Sequence, residues 1–130
     1  MKKILITGGS GFIGSHIAEK FLNENYIVGV VDLWKSPEIK DFEKKYQNFK
    51  FYCLSVLDFE KIENVMVNYD NIIHLAAILG TSETITTYDI EDVIKTNVLG
   101  TTKILKFSKK LNYRKVLIPT TPDVTWLNPY

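Results

Sequence analysis

The chain has 130 residues, of which 45% are hydrophobic and 24% charged, with a formal net charge of +1 at pH 7. These values predict one globular domain and exclude a bulk electrostatic attraction to nucleic acid or an acidic membrane. No apolar run approaches the roughly 18 residues that span a bilayer, and a single cysteine excludes an intramolecular disulfide. We expect a cytoplasmic protein with no membrane or nucleic-acid partner, in which Cys53 is a small buried residue.

Strand-like apolar runs alternate with stretches of helical periodicity along the whole chain. This alternation is the pattern of β-α-β units joined into a parallel sheet. The predicted strands cover residues 2–7, 26–31, 49–54, 71–75 and 115–118. The predicted helices cover residues 12–24, 37–46, 59–67 and 89–111. We therefore predict an α/β fold, a three-layer, doubly wound parallel sheet of about five strands, in one domain over residues 1–130.

Two of the predicted helices carry apolar residues along one face, and we expect the stripe of the longer helix to be buried. The first stripe comprises Phe12, Ile13, Ile17, Ala18, Phe21 and Leu22. The second comprises Ile90, Val93, Ile94, Val98, Ile104, Leu105 and Leu111. Asn97 lies on the second stripe, where burying an unpaired carboxamide would cost about 1–3 kcal/mol. We expect it either to hold an active-site water or backbone group, or to make a purely structural hydrogen bond at a helix kink.

A glycine-rich sequence, TGGSGFIG at residues 7–14, lies between the first predicted strand and the first predicted helix. A helix N-terminus has free N–H groups and a partial positive charge, so it attracts phosphate. Gly8 can adopt the dihedral angles of a tight turn, Gly11 lets the backbone approach a ligand, and Gly14 permits close helix packing. The sequence therefore predicts a binding site for the pyrophosphate of a dinucleotide.

An acidic residue, Asp32, ends the second predicted strand 18 residues after Gly14. At this position of a dinucleotide-binding unit, a carboxylate accepts hydrogen bonds from both hydroxyls of the adenosine ribose. The same charge repels a 2′-phosphate, so the sequence favours NAD over NADP as the cofactor. We expect Lys35 to offset part of this repulsion.

Other patterns of reactive residues are absent from the sequence or have a structural interpretation. We interpret His16 and His74 as hydrogen-bonded core residues, and no Cys, His and Asp cluster has the spacing of metal ligands. The sequence contains neither a Gly-x-Ser-x-Gly elbow, which would indicate a serine hydrolase, nor a Gly-Lys-Ser/Thr sequence, which would indicate a Walker A site. By contrast, polar residues follow the predicted strands, where a parallel sheet gathers them at its ligand-binding edge. These residues are Thr7, Asp32, Ser55, Thr120 and Thr121.

Four motifs in this order resemble those of the extended short-chain dehydrogenases/reductases, the NAD-dependent epimerases and dehydratases that act on nucleotide sugars. The motifs are TGGSGFIGSH at 7–16, HLAA at 74–77, NVLGT at 97–101 and Thr120-Thr121 after the fifth strand. The resemblance implies a Rossmann-type fold, NAD as cofactor and a nucleotide-sugar substrate. Because members of this family are much longer, it also implies a truncated NAD-binding domain with an incomplete sheet and no substrate domain.

The resemblance further implies contacts between the cofactor and residues along the predicted ligand edge. These are Gly8, Gly11, Phe12, Ile13, Asp32, Ser55, Val56, Leu75, Ala76, Ala77 and Asn97. The glycines and the residues after them would contact the pyrophosphate, and residues 75–77 would pass near the nicotinamide ribose. Near the adenine the family often has an aspartate, and here that position is Ser55, followed by Val56. In the loop after the fourth strand, Thr81 and Ser82 would meet the substrate.

In this family the tyrosine of a Tyr-x-x-x-Lys pair exchanges a proton with a sugar hydroxyl beside an active-site Ser or Thr. The resemblance assigns the threonine to Thr121 and the tyrosine to Tyr130, which follows Pro129 at a shorter spacing than usual. The lysine position would lie beyond residue 130. We therefore expect these 130 residues alone to bind NAD weakly and to turn over no substrate.

The first hypothesis is the cofactor-binding half of an NAD-dependent nucleotide-sugar epimerase or dehydratase that transfers hydride at a sugar hydroxyl. One alternative is a non-catalytic dinucleotide-binding sensor of the same fold, and another is a related reductase of a non-sugar carbonyl. A lysine four positions after Tyr130 would favour the enzyme over the sensor. In this family the long helix often packs in a two-fold dimer, so we also expect a homodimer.

Overall fold

In a computed structural model of the chain, residues 2–79 and 86–120 are described. The strands are β1 (Lys3–Thr7), β2 (Ile27–Asp32), β3 (Phe49–Cys53), β4 (Asn71–His74) and β5 (Lys115–Leu117). The helices are α1 (Phe12–Asn23), α2 (Pro37–Lys45), α3 (Phe59–Met66), α4 (Ile90–Ile94) and α5 (Thr101–Lys110). A π-helical segment, Lys95–Gly100, joins α4 to α5 in one continuous helix. Each predicted strand and helix is confirmed, with ends within one residue of the predicted ones.

The five strands form one parallel sheet in the order β3-β2-β1-β4-β5. The chain winds outward from β1 to β3 and then returns to place β4 on the other side of β1. The two halves of the sheet thus diverge between β1 and β4, and ligands of such sheets bind beyond the strand ends at this switch point. The predicted three-layer, doubly wound Rossmann-type architecture is confirmed.

Two hydrophobic clusters fill the space between the sheet and its helices. On one face, Ala18 and Leu22 of α1 and Ile39 and Phe42 of α2 pack on side chains of the central strands. On the other face, the buried residues of α3 and Ile104 of α5 pack on a second set. Burying these apolar side chains supplies the main driving force for folding, at about 25 cal/mol per Å².

The expected burial of the apolar stripe of the long helix is wrong for most of its first half and for Leu105. Ile90, Ile94 and Val98 are 67%, 54% and 59% exposed, and Leu105 is also exposed, whereas Ile104 is fully buried. The helix from Ile90 to Lys110 is about 30 Å long at 1.5 Å per residue, whereas a five-residue strand spans only about 17 Å. Its first turns therefore project beyond the carboxyl edge of the sheet, where no strand lies beneath them.

Phe12 and Ile13 are exposed because they occupy the first turn of α1, at the carboxyl edge of the sheet. Two further expectations of burial, for Cys53 and His16, are wrong. Cys53 is exposed because it ends β3, an edge strand. His16 is exposed because α1 buries another side, which contains Gly14, Ala18 and Leu22. Across residues 2–79 and 86–120, no helix is long and apolar enough to cross a membrane.

Candidate functional site

The glycine-rich loop between β1 and α1 forms a tight turn that contacts β2 and the segment after β4. Gly8 has φ +70°, a left-handed conformation that glycine adopts without steric cost. Its N–H donates to the Val31 carbonyl at 2.8 Å, and a Cβ at Gly8 would lie 2.7 Å from the Ala76 nitrogen. The first turn of the loop therefore requires glycine, as the sequence predicts.

Gly11 and Gly14, the last two glycines of the motif, have different surroundings. A Cβ at Gly14 would lie 2.5 Å from the Gly8 carbonyl oxygen and 2.6 Å from the Cα of Gly9, so α1 and the loop touch here. A Cβ at Gly11 would meet only the Gly8 oxygen, at 3.4 Å, and Gly11 has φ −74°. Gly14 is therefore required for packing, whereas nothing in the described structure requires glycine at position 11.

The carboxylate of Asp32 connects the end of β2 to the glycine-rich loop. It accepts the Ser10 N–H at 2.9 Å on one oxygen and the Leu33 N–H at 2.7 Å on the other. The Ser10 hydroxyl donates to the Trp34 carbonyl at 2.7 Å, which gives the loop a second connection to this segment. Since each carboxylate oxygen can accept more than one hydrogen bond and Asp32 is half-buried, acceptor capacity remains for the hydroxyls of a ligand.

The ammonium of Lys35 contacts helix α2 and strand β3. Its Nζ contacts both carboxylate oxygens of Glu43, at 2.8 and 2.9 Å, and lies 5.0 Å from the centre of the Phe51 ring. The sequence pattern around the strand end gives no indication of this pairing, because Glu43 belongs to the next helix.

The segment after β4 returns to β1 and then meets the long helix. The Leu75 N–H donates to the Thr7 carbonyl at 3.0 Å. Further on, the Asn97 side chain accepts the Ile78 N–H at 2.7 Å and donates to the Ile78 carbonyl at 2.8 Å. The structure therefore shows Asn97 bonded to a backbone group from the irregular π-helical segment, a bond that both expectations for this residue allow. This pairing fixes the main chain beside Leu75, Ala76 and Ala77.

We expect Asn97→Ala to lower the free energy of unfolding by about 1–2 kcal/mol, because both polar groups of Ile78 lose their partner. Amide hydrogen exchange followed by NMR would then show loss of protection at Ile78. The matched control is Asn68→Ala, whose side chain donates to the nearby Asn64 and Val65 carbonyls at the end of α3. Unchanged exchange at Ile78 in the Asn97 variant would contradict this role.

A buried chain of hydrogen bonds lies directly beneath this segment. His74, only 3% exposed, contacts the Thr7 hydroxyl through Nδ1 at 2.6 Å and the Thr101 hydroxyl through Nε2 at 2.9 Å. The Thr7 hydroxyl also accepts the Ala76 N–H at 3.3 Å. Burial lowers the pKa of His74 to about 4, so its ring is neutral at pH 7. The interpretation of His74 as a hydrogen-bonded core residue is confirmed, and three motifs of the sequence meet at its ring.

The structure places the remaining predicted residues as follows. Ser55 follows β3, and its hydroxyl accepts the Leu57 N–H at 3.1 Å, while Val56 is buried against Gly100. Thr81, Ser82, Thr121 and Tyr130 lie outside the described residues. Within the described ranges, no three His, Cys, Asp or Glu side chains are grouped as metal ligands would be.

Sequence reasoning missed two residues that shape this site. Ser10 bonds to both Asp32 and Trp34, and Thr101 bonds to His74. A signal existed for Thr101, because it lies four residues after Asn97 and such residues share a helix face. No local signal existed for Ser10, because its partners are 22 and 24 residues away.

The model of the NAD-dependent epimerase/dehydratase family matches residues 4–125 of this chain. A UDP-N-acetyl-alpha-D-glucosaminuronate decarboxylase from Bacillus cytotoxicus is 37% identical over 123 residues, covering 95% of this chain and 37% of that protein. A dTDP-D-glucose 4,6-dehydratase from Dictyostelium discoideum is 37% identical over 134 residues, covering 95% and 30%. The chain thus spans about a third of the length of these relatives.

Solved structures agree with this assignment. UDP-glucose 4-epimerase from Bifidobacterium longum, crystallised with NAD+ and UDP, superposes with a TM-score of 0.80 at 29% identity, covering 92% of this chain and 37% of that one. The family model spans nearly all of the sequence. The chain therefore belongs to the NAD-dependent epimerase/dehydratase family.

Proposed function

We propose that this chain is the cofactor-binding part of an NAD-dependent enzyme that epimerises or dehydrates a nucleotide sugar. The observation that carries the proposal is the position of the Asp32 carboxylate, which touches the glycine-rich loop at Ser10 and remains half-exposed. One carboxylate can thus order the loop and accept hydrogen bonds from a ribose. Membership of a family of NAD-dependent enzymes supports the same conclusion.

The described residues fit NAD in three respects. The surroundings of Gly11 leave room for close approach by a pyrophosphate, and the first N–H groups of α1 have no partners within the helix. Phe12 and Ile13 are exposed beside them. Asp32 would hold the adenosine ribose, and the segment fixed by Asn97 would lie along the nicotinamide end. When bound, NAD supplies the hydride acceptor for oxidation of a sugar hydroxyl.

For the chemistry, we propose that Tyr130 exchanges a proton with the sugar hydroxyl and that Thr121 orients this hydroxyl by a hydrogen bond. The relatives include a UDP-sugar decarboxylase and a dTDP-sugar dehydratase, which supports a nucleotide-sugar substrate. A dinucleotide sensor and a reductase of a non-sugar carbonyl are the alternatives. We further propose a homodimer that covers the exposed apolar side chains of the long helix, among them Ile90, Ile94 and Val98.

Titration calorimetry with NAD and NADP tests the proposal. We expect the unmutated chain to prefer NAD, and Asp32→Ala to weaken NAD binding by about tenfold, the loss of a hydrogen bond to a charged group. Asp41→Ala is the matched control, because Asp41 is an exposed carboxylate on α2 that pairs with Lys44. Thermal unfolding of each variant separates the two possible causes of weaker binding. An unchanged melting temperature indicates lost ribose contacts, and a lowered one indicates a disordered loop. Equal affinity of the unmutated chain for the two cofactors would overturn the role of Asp32.

A further inference from the structure

We propose that Glu43 is a positioning residue for cofactor choice, because it holds the Lys35 ammonium where that charge cannot meet a 2′-phosphate. This inference rests on the proposed function, since it concerns the same adenosine end of the site. Two groups then discriminate against NADP. The Asp32 carboxylate repels the 2′-phosphate, and the Glu43 carboxylate pairs with the Lys35 ammonium, which could otherwise attract it.

The backbone of Lys35 lies close to the glycine-rich loop, where the adenosine end of the cofactor is proposed to bind. Trp34, the residue before it, accepts a hydrogen bond from Ser10 of the glycine-rich loop at 2.7 Å. Asp32, three residues earlier, accepts the Ser10 N–H. A lysine that starts here has a long flexible side chain with a point charge at its end, a group that commonly binds phosphate. Its backbone position alone would therefore favour NADP.

The side chain of Lys35 instead runs toward α2. Its Nζ makes two short contacts to Glu43, at 2.8 and 2.9 Å, and lies 5.0 Å from the Phe51 ring centre. Helix α2 is fixed to the sheet through buried Ile39 and Phe42, so the carboxylate is presented from a packed element. Both the carboxylate and the aromatic face attract the ammonium and hold it between α2 and β3.

The pair is a suitable target for mutation because it contributes little to folding. The Lys35 and Glu43 side chains are 35% and 38% exposed, and ion pairs this exposed stabilise proteins weakly. Losing Glu43 should therefore leave the fold intact and free the Lys35 charge. A freed ammonium beside Asp32 would compensate the repulsion of a 2′-phosphate, whereas NAD carries no phosphate at that position.

The experiment compares NAD and NADP binding by calorimetry for the unmutated chain, Glu43→Gln, Lys35→Met and the double variant. We expect Glu43→Gln to tighten NADP binding by about fivefold and to change NAD binding by less than about twofold, as one partly exposed charge contact permits. The gain should disappear in the double variant, because it requires the lysine. The matched control is Glu63→Gln, which breaks a similar ion pair with Lys110 between α3 and α5.

Each result of this binding experiment bears either on the role of Glu43 or on the proposed function. An unchanged ratio of NADP to NAD affinity in Glu43→Gln would overturn the role of Glu43, and so would a gain that persists without Lys35. An equal gain in Glu63→Gln would also overturn it, since net charge alone would then account for the effect. If the unmutated chain binds neither dinucleotide, the proposed function itself fails, and the two failures are thereby distinguished.

Discussion

Gly14→Ala is expected to lower the free energy of unfolding by about 2 kcal/mol and to abolish NAD binding, whereas Gly11→Ala should impair binding alone. At position 14 the new methyl group would lie 2.5 Å from the Gly8 oxygen and 2.6 Å from the Cα of Gly9. Both atoms belong to the backbone, so α1 must move away from the loop. The expected loss of about 2 kcal/mol is a net value, because alanine is a better helix former than glycine and by itself raises the free energy of unfolding by about 1 kcal/mol.

Gly11 provides the matched comparison within the same loop. Its φ of −74° suits alanine, and the nearest atom to an added Cβ is 3.4 Å away. The added methyl group would instead occupy the space that a pyrophosphate needs, and we expect NAD affinity to fall by about tenfold or more. Urea unfolding and NAD titration of both variants measure the two effects. Similar stability losses at positions 11 and 14, or unimpaired NAD binding by Gly11→Ala, would contradict the division of roles.

His74 is expected to make the stability of the chain depend on pH between about 6.5 and 4. Its folded pKa is lowered to about 4 by burial, whereas an exposed histidine has a pKa near 6.5. As the pH falls through this window, His74 therefore becomes protonated in the unfolded chain but stays neutral in the folded chain. The contribution of His74 to the free energy of unfolding is fully present above pH 6.5, and about 3 kcal/mol of it is lost by pH 4.

Urea unfolding of the unmutated chain and of His74→Asn, at several pH values from 7 to 4, measures this loss. The variant should be less stable at pH 7, because the bonds to Thr7 and Thr101 change, and its stability should fall less steeply with pH. Carboxyl groups such as Asp58, whose pKa is lowered by its contact with Lys61, also titrate in acid. They are present in both proteins, so the difference isolates His74, and parallel pH profiles would contradict the assignment.

The sequence predicted the elements of the fold well because each carries a strong local signal. Glycines mark the first turn, Ser36 and Pro37 mark the start of α2, and each strand is a short apolar run. Ser36 indeed caps α2, accepting the Ile39 N–H at 3.3 Å. The glycine-rich loop and Asp32 were also predictable, since their spacing follows from the dimensions of one β-α-β unit.

Burial at the carboxyl edge and the partners of the polar side chains were not predictable in the same way. Periodicity shows which side of a helix is apolar, but not how far that helix extends past the sheet, so Ile90 was wrongly expected to be buried. The bonds of Asn97 to Ile78, and of Lys35 to Glu43, join segments whose distance in space depends on the whole fold. Such pairs leave no periodic or local pattern.

The π-helical segment, Lys95–Gly100, has a consequence for insertions and deletions in the long helix. A π turn accommodates one residue more than an α turn, and each residue of a helix corresponds to a rotation of about 100°. Because the wide turn takes up its extra residue locally, removing a single residue here would restore regular α winding and leave the segments before and after it in nearly the same relative orientation. The same deletion within α5 would turn everything before it by about 100° relative to everything after it. The chain should therefore tolerate the loss of one residue in this stretch better than the loss of one residue from α5.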